Sequence, residues 1–207
     1  MTSPVAPTDA GRVALLLMDL QYGVLDTVAA SDEVLSRAER ALSWAREQRV
    51  QVAHVRVAFT PEDFDNVPAH NKALAPLVPS RHFSDGSPEA AIHSCVAPQD
   101  DELLVRKTRF GAFSTTELHR RLQERRIETL ILAGVSTSGV VLSTVRDAVD
   151  RDYEVCVLAD AVADADPQTH RFLIEHLFPR SANMIYTDDL QRYSDAWRTA
   201  TVHGWPQ

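Results

Sequence analysis

Short apolar runs alternating with amphipathic stretches predict an α/β fold, a parallel sheet covered by helices on both faces. Three observations carry this reading. Val13–Asp19 (VALLLMD) is a near-continuous apolar run ending in an acid, as a strand buried on both faces requires. Thr129–Ala133 (TLILA) and Tyr153–Leu158 repeat the pattern. Helix-like stretches follow these runs, and right-handed crossovers then leave few topologies.

The elements follow in order. Residues 1–11 read as a loose polar tail and 12–207 as one domain, since 207 residues fall near the usual domain size of roughly 100–200. Ser31 is placed to cap a helix over 32–49, whose Val34, Leu35, Ala38, Ala41, Leu42 and Ala45 share one face. Val50–Phe59 reads as the second strand. Residues 60–100 are irregular, interrupted by six prolines, with a short helix expected around 70–76. A loop this long in a compact domain marks a functional segment or an unrecognised element. Leu103–Lys107 is the third strand, and Ser114 with Glu117 forms a capping box for a helix to about 125. After the fourth strand, Gly134–Gly139 turns into a helix to about 151. Asp166 as cap and Pro167 at the first helical position open a helix to Phe178. Ala182–Tyr186 is the sixth strand, and Asp188 or Asp189 opens a last helix.

Composition narrows the function. The formal charge is −8, which disfavours nucleic acid and anionic membranes as partners. The longest clean apolar run, Val13–Met18, is six residues, against the ~18–20 that span a bilayer. MTSPVAPTDAGR lacks the charged and apolar regions of a secretion signal. Two cysteines, Cys95 and Cys156, give neither a disulfide framework nor zinc spacing, so a reducing cytoplasm is expected. The eight histidines are scattered, and His170 and His176 lie six apart, off a common helix face; no metal and no other cofactor is expected.

In parallel sheets ligands bind at the carboxyl ends of the strands. Three strand ends carry chemistry: Asp19 with Gln21 after the first strand, Lys107 at the end of the third, and the turn Gly134–Val141 after the fourth. Lys107 and Lys72 are the two lysines among 21 basic residues. A converging acid and lysine can form a partly desolvated pair that exchanges a proton with substrate. The turn opens a helix, whose free amides can hold developing negative charge. Phe110 and Phe113 flank the lysine and are candidate walls for a planar substrate. Arg56 is a candidate carboxylate binder. Asn71 and His70 lie in the long loop.

The blocks MDLQ, VRKTRFGAFSTTEL and LILAGVSTSGVVLSTVRDAVDRDYEVCVLADAVAD resemble the isochorismatase-like hydrolase superfamily, which includes the cysteine amidohydrolases. The resemblance runs from about Val13 to Leu190. It implies a three-layer αβα sandwich with a six-stranded, mainly parallel sheet. It also implies catalytic roles for Asp19 and Lys107, a cis peptide at Val135–Ser136, and a homo-oligomer, dimer or tetramer.

The amidohydrolases carry their nucleophilic cysteine in a Gly-Val-x-Thr-x-x-Cys-Val block. Here Gly134-Val135-Ser136-Thr137-Ser138-Gly139-Val140-Val141 places Val140 there, and valine has no nucleophile. Isochorismatases also lack that cysteine and cleave a vinyl ether noncovalently, but their Tyr-Ala-His-Ile-Gly-Cys stretch is absent here. The resemblance therefore implies a small-molecule hydrolase using Asp19 and Lys107, with Gln21, Arg56, Asn71, Phe110, Phe113, Ser136, Thr137 and Val140 around the substrate. Two alternatives stay open: a noncatalytic small-molecule binder of this fold, and an amidohydrolase with a relocated nucleophile.

Overall fold

A computed structural model describes residues 10–192, 194 and 195. Most of the expected tail, residues 1–9, and the end of the expected domain, from 196 on, lie outside the described residues.

Six strands form one sheet: β1 (Val13–Met18), β2 (Gln51–Val57), β3 (Leu103–Lys107), β4 (Thr129–Val135), β5 (Glu154–Ala163) and β6 (Asn183–Ile185). Their order is β3-β2-β1-β4-β5-β6 and every pairing is parallel. The chain winds from β1 out to β3, then returns past β1 to β4, so the order reverses between β1 and β4. A crevice at such a reversal is where open α/β sheets bind ligands.

The side-chain period of two divides β1 between two cores. Val13, Leu15 and Leu17 pack under Val34, Leu35, Ala38, Leu42 and Ala45 of α2 (Ser31–Gln48). Ala14, Leu16 and Met18 pack with Leu118 and Leu122 of α4 (Leu118–Glu124) and Val145 and Ala148 of α5 (Leu142–Val149). These are the three layers. With both faces covered, all six residues of β1 are buried, which is why its sequence does not alternate.

The long connection from β2 to β3 holds its own small core of Ala58, Phe59, Phe64, Leu74, Phe83 and Ala90. It opens with a helix the composition hides, α3 (Pro61–Asp65). Thr60 and Asp63 cap it reciprocally, and Pro61 sits at its first position. The helix expected around 70–76 is instead a set of turns ending in a 3-10 turn at Ala75–Leu77. Asn71 causes this, because its Oδ1 accepts from the Ala73 and Leu74 amides in a local turn. The connection then returns over the carboxyl end of the sheet. Gln21 bridges to Ile92, and the His93 amide donates to the Leu20 carbonyl at 2.8 Å.

Further boundaries differ for local reasons. α4 begins at Leu118 without the Ser114–Glu117 box; the Thr116 hydroxyl accepts from the Leu118 amide instead. β5 runs to Ala163, five residues past its expected end, with a register shift against β4 between Leu132 and Gly134. The fourth crossover starts with a π-helical turn, Thr137–Val141, before α5. α6 (Pro167–Phe172) keeps its predicted cap: Asp166 accepts from the Gln168 and Thr169 amides. It gives way to a π turn at Leu173–Leu177. A 3-10 turn at Thr187–Asp189 leads into helix at Leu190. Among the described residues no helix is long and apolar enough to cross a membrane.

Candidate functional site

At the reversal, β1 and β4 approach more closely than side chains permit. Gly134 pairs with Met18 and has φ 145°, and a Cβ there would collide with the Met18 carbonyl. The next residues out of each strand are the ones that matter. Asp19 leaves β1 in the left-handed region at φ 55°, a conformation aspartate tolerates better than most residues. Its amide donates to the Val55 carbonyl at 2.8 Å, so the turn is anchored on β2. On the other side the Val135–Ser136 peptide is cis.

Lys107 ends β3 two strands from β1, and its side chain crosses to meet Asp19. Nζ lies 2.7 Å from Asp19 Oδ2 and donates to the Arg109 carbonyl at 3.1 Å. The pair is buried, Asp19 being 5% exposed and Lys107 2%. Asp19 Oδ1 is buried without a hydrogen-bond partner. Burial pushes the Asp19 carboxyl above its ordinary range, with the Lys107 charge and hydrogen bond and the nearby Val57 backbone pulling the other way. The arrangement is a half-satisfied carboxyl group beside a fixed cation, able to give or take a proton at the open oxygen.

Gln21 is fully buried and acts as a clamp. Its Nε2 donates to the Val57 and Ala90 carbonyls at 2.8 and 2.7 Å, and its Oε1 accepts from the Val57 amide at 2.8 Å. Both donors are engaged, so it ties the segment after β1 to β2 and to the long connection rather than reaching for substrate.

The lysine block packs on the turn block. The Ala112 amide donates to the buried Thr144 hydroxyl at 3.0 Å, and a Cβ on Gly139 would lie 3.5 Å from the Phe110 ring. Phe110 is 52% exposed and borders the turn. Phe113 corrects the expectation of a second pocket wall. It is buried, stacked on Tyr153 at 5.8 Å, with the Arg151 guanidinium 5.3 Å from its ring centre. Arg56 is ion-paired to Asp85 at 2.7 Å and Asn71 is absorbed in its own turn, so the geometry brings neither to the Asp19–Lys107 pair.

In the turn itself, Val140 is buried within the α4–α5 core. Thr137 is fully buried with Oγ1 2.9 Å from His170 Nδ1. The Ser136 carbonyl accepts from the Gly139 and Val141 amides, both at 3.2 Å, and the Ser138 amide donates to Asp164 Oδ2 at 2.7 Å. No motif in the sequence marks Asp164, and His170 stands out there only as a histidine off the face of His176. The signal available was the Asp-Pro start of α6, which puts His170 one turn into that helix. Cys156 is buried in β5, and Cys95 is exposed in the 3-10 turn Ser94–Val96. Among the described residues, no three His, Cys, Asp or Glu side chains gather as a metal site would need.

Known proteins share this architecture. The isochorismatase-domain profile matches residues 13–189. The uncharacterized isochorismatase family protein YecD of Escherichia coli O157:H7 is 27% identical over 187 residues, spanning 88% of this chain and 96% of that one. The ureidoacrylate amidohydrolase RutB of Methylorubrum extorquens is 29% identical over 192 residues, spanning 81% and 77%. A cysteine hydrolase from Pseudomonas syringae pv. phaseolicola superposes with a TM-score of 0.83 at 23% identity, over 95% of this chain and all of that one. With the profile covering most of its length, the chain belongs to the isochorismatase family of hydrolases.

Proposed function

We propose that this protein hydrolyses a C–O or C–N bond of a small molecule without a covalent enzyme intermediate. The observation that carries the reading is the buried Asp19–Lys107 pair whose Asp19 Oδ1 has no partner. Asp19, protonated, gives its proton to the leaving oxygen or nitrogen. A water then bonds to the electron-poor carbon, the old bond breaks, and the water's proton restores Asp19. Lys107 holds Asp19 in place and offsets its negative charge. Val140 stands where the resemblance places the cysteine of the amidohydrolases, and valine offers no atom for a covalent bond.

Phe110, Ser136, Thr137 and Val140 belong to the segments around the substrate, and Gln21 positions the turn that carries Asp19. The Ser138 and Gly139 amides are engaged on Asp164 and Ser136. Any amide contribution to developing negative charge therefore falls to the rest of Ser136–Val140. The reading includes a homo-oligomer, dimer or tetramer, in the cytoplasm, with no nucleic-acid or membrane partner; the net charge of −8 supports the last point.

The test is a mass-spectrometric panel of vinyl ethers, primary amides, ureido acids, imides and lactams, with wild-type protein and Asp19→Asn. Turnover by the wild type that falls by about 100-fold or more in the variant supports the assignment. Full turnover in Asp19→Asn overturns it. A second reading, a noncatalytic binder of the same small molecules, is favoured by Val140; it predicts ligand binding with no product. A relocated nucleophile predicts a covalent adduct on Cys95 or Cys156 during turnover.

A further inference from the structure

The connection from β5 into α6 touches the π turn at two consecutive residues. The Ser138 amide donates to Asp164 Oδ2 at 2.7 Å, and Thr137 Oγ1 lies 2.9 Å from His170 Nδ1. The two holding groups belong to one hydrogen-bonded frame. Asp164 Oδ1 accepts from the Asp166 amide at 3.2 Å, and Asp166 caps α6 through the Gln168 and Thr169 amides. The His170 amide closes the frame on the Asp166 carbonyl at 3.0 Å.

α6 has no buried residue, so it contributes little to the core. Its most consequential contact is the one His170 makes with Thr137. The Thr137 hydroxyl is wholly buried, and a buried hydroxyl deprived of its partner is costly. Burial disfavours the charged form of His170, with Asp164 opposing, and the neutral ring can pair with a hydroxyl in either sense.

Asp164 and His170 also line a cavity of about 270 Å³, walled by Ala29, Ala30, Val34 and Pro167. Asp164 and His170 thus stand between the turn and this open space, each with one polar atom committed to the turn.

We propose that Asp164 and His170 are positioning residues that together fix the turn Thr137–Val141 at the carboxyl end of β4. They set its geometry toward the substrate without touching it. The inference rests on the reading above that this turn borders the substrate.

Two readouts test it on the full chain. Amide hydrogen exchange by NMR compares the turn with Leu130–Ala133 of β4 in the same sample. In His170→Ala and Asp164→Ala, exchange at Ser138–Val141 rises by about tenfold or more while β4 stays protected. Turnover falls by a similar factor, mainly in kcat. His170→Asn places an amide atom where Nδ1 stands and restores both.

Unchanged exchange in the turn overturns the proposal. So does acceleration spread equally over β4, the mark of a merely stabilising role, and so does wild-type kcat in a variant whose turn has loosened. Asp19→Asn separates this proposal from the proposed function. It keeps the turn protected while turnover is lost; if it keeps turnover, the assignment of Asp19 fails and the exchange data still judge the clamp.

Discussion

β3 has a charged side chain at each end, Glu102 half-buried and Lys107 buried, and the two are finished differently. Glu102 stands just before the strand. It accepts from Arg46 Nε at 2.8 Å, Arg46 Nη2 at 3.0 Å and the Gln99 amide at 2.8 Å, and lies 2.8 Å from His54 Nε2. Lys107 ends the strand and meets Asp19, whose second oxygen has no partner. The consequence shows in the proton affinities. Burial disfavours ionisation at both carboxyl groups, but at Glu102 the contacts from Arg46, Gln99 and His54 outweigh it and hold the group below its ordinary range. At Asp19 burial wins. A carboxylate with its bonding capacity filled serves the fold; one left half open is the candidate for proton transfer under the proposed function.

The largest effects come from breaking each end separately. Lys107→Met leaves Asp19 buried without its cation, so turnover should fall by about 100-fold or more, because the carboxyl loses its placement and the carboxylate left after proton transfer loses its counter-charge. Glu102→Gln leaves Arg46 and His54 without their anion, and urea unfolding should show a loss of about 1–2 kcal/mol with kcat nearly unchanged. Equal damage to kcat from both variants would erase the distinction between the two ends.

Acid titration gives a smaller effect with a definite sign. Burial lowers the His54 pKa from 6.5, so in the window below that value the unfolded chain binds more protons than the folded one. The stability His54 contributes is therefore present above pH 6.5 and lost as pH falls through its folded pKa. His54→Gln keeps a donor toward Glu102 but does not titrate. Its stability should stay level in that window while the wild type loses stability. Parallel losses in both proteins would place the acid lability elsewhere.

The same contrast between filled and open capacity marks what the sequence discloses. β1 and β3 were legible almost to the residue, because a strand covered on both faces is written as an apolar run and each ends near a charge. The strand-end positions of Asp19 and Lys107 are legible for that reason. Partners brought from elsewhere in the chain were not. Nothing near Arg56 announces Asp85, and nothing near Gln21 announces Val57 and Ala90. Asp160 reads as a strand breaker, yet β5 continues through it because the Thr187 amide and hydroxyl satisfy its carboxylate. Phe110 and Phe113 lie in the same block after Lys107; only packing separates them.

That last pair gives the smallest prediction and carries the comparison to apolar groups. Phe113 has its faces occupied by Tyr153 and Arg151, whereas Phe110 is half exposed against Gly139. Phe110→Ala should change stability by only about 0.5 kcal/mol or less, as for a surface position. If Phe110 borders the substrate, its loss removes apolar contact made equally in the ground and transition states, so KM rises several-fold while kcat holds. Steady-state kinetics on the substrate found by the panel decides it. An unchanged KM would confine the substrate to the Asp19–Lys107 crevice and the turn, and would leave Phe110 as an exposed ring packed on Gly139 with no part in recognition.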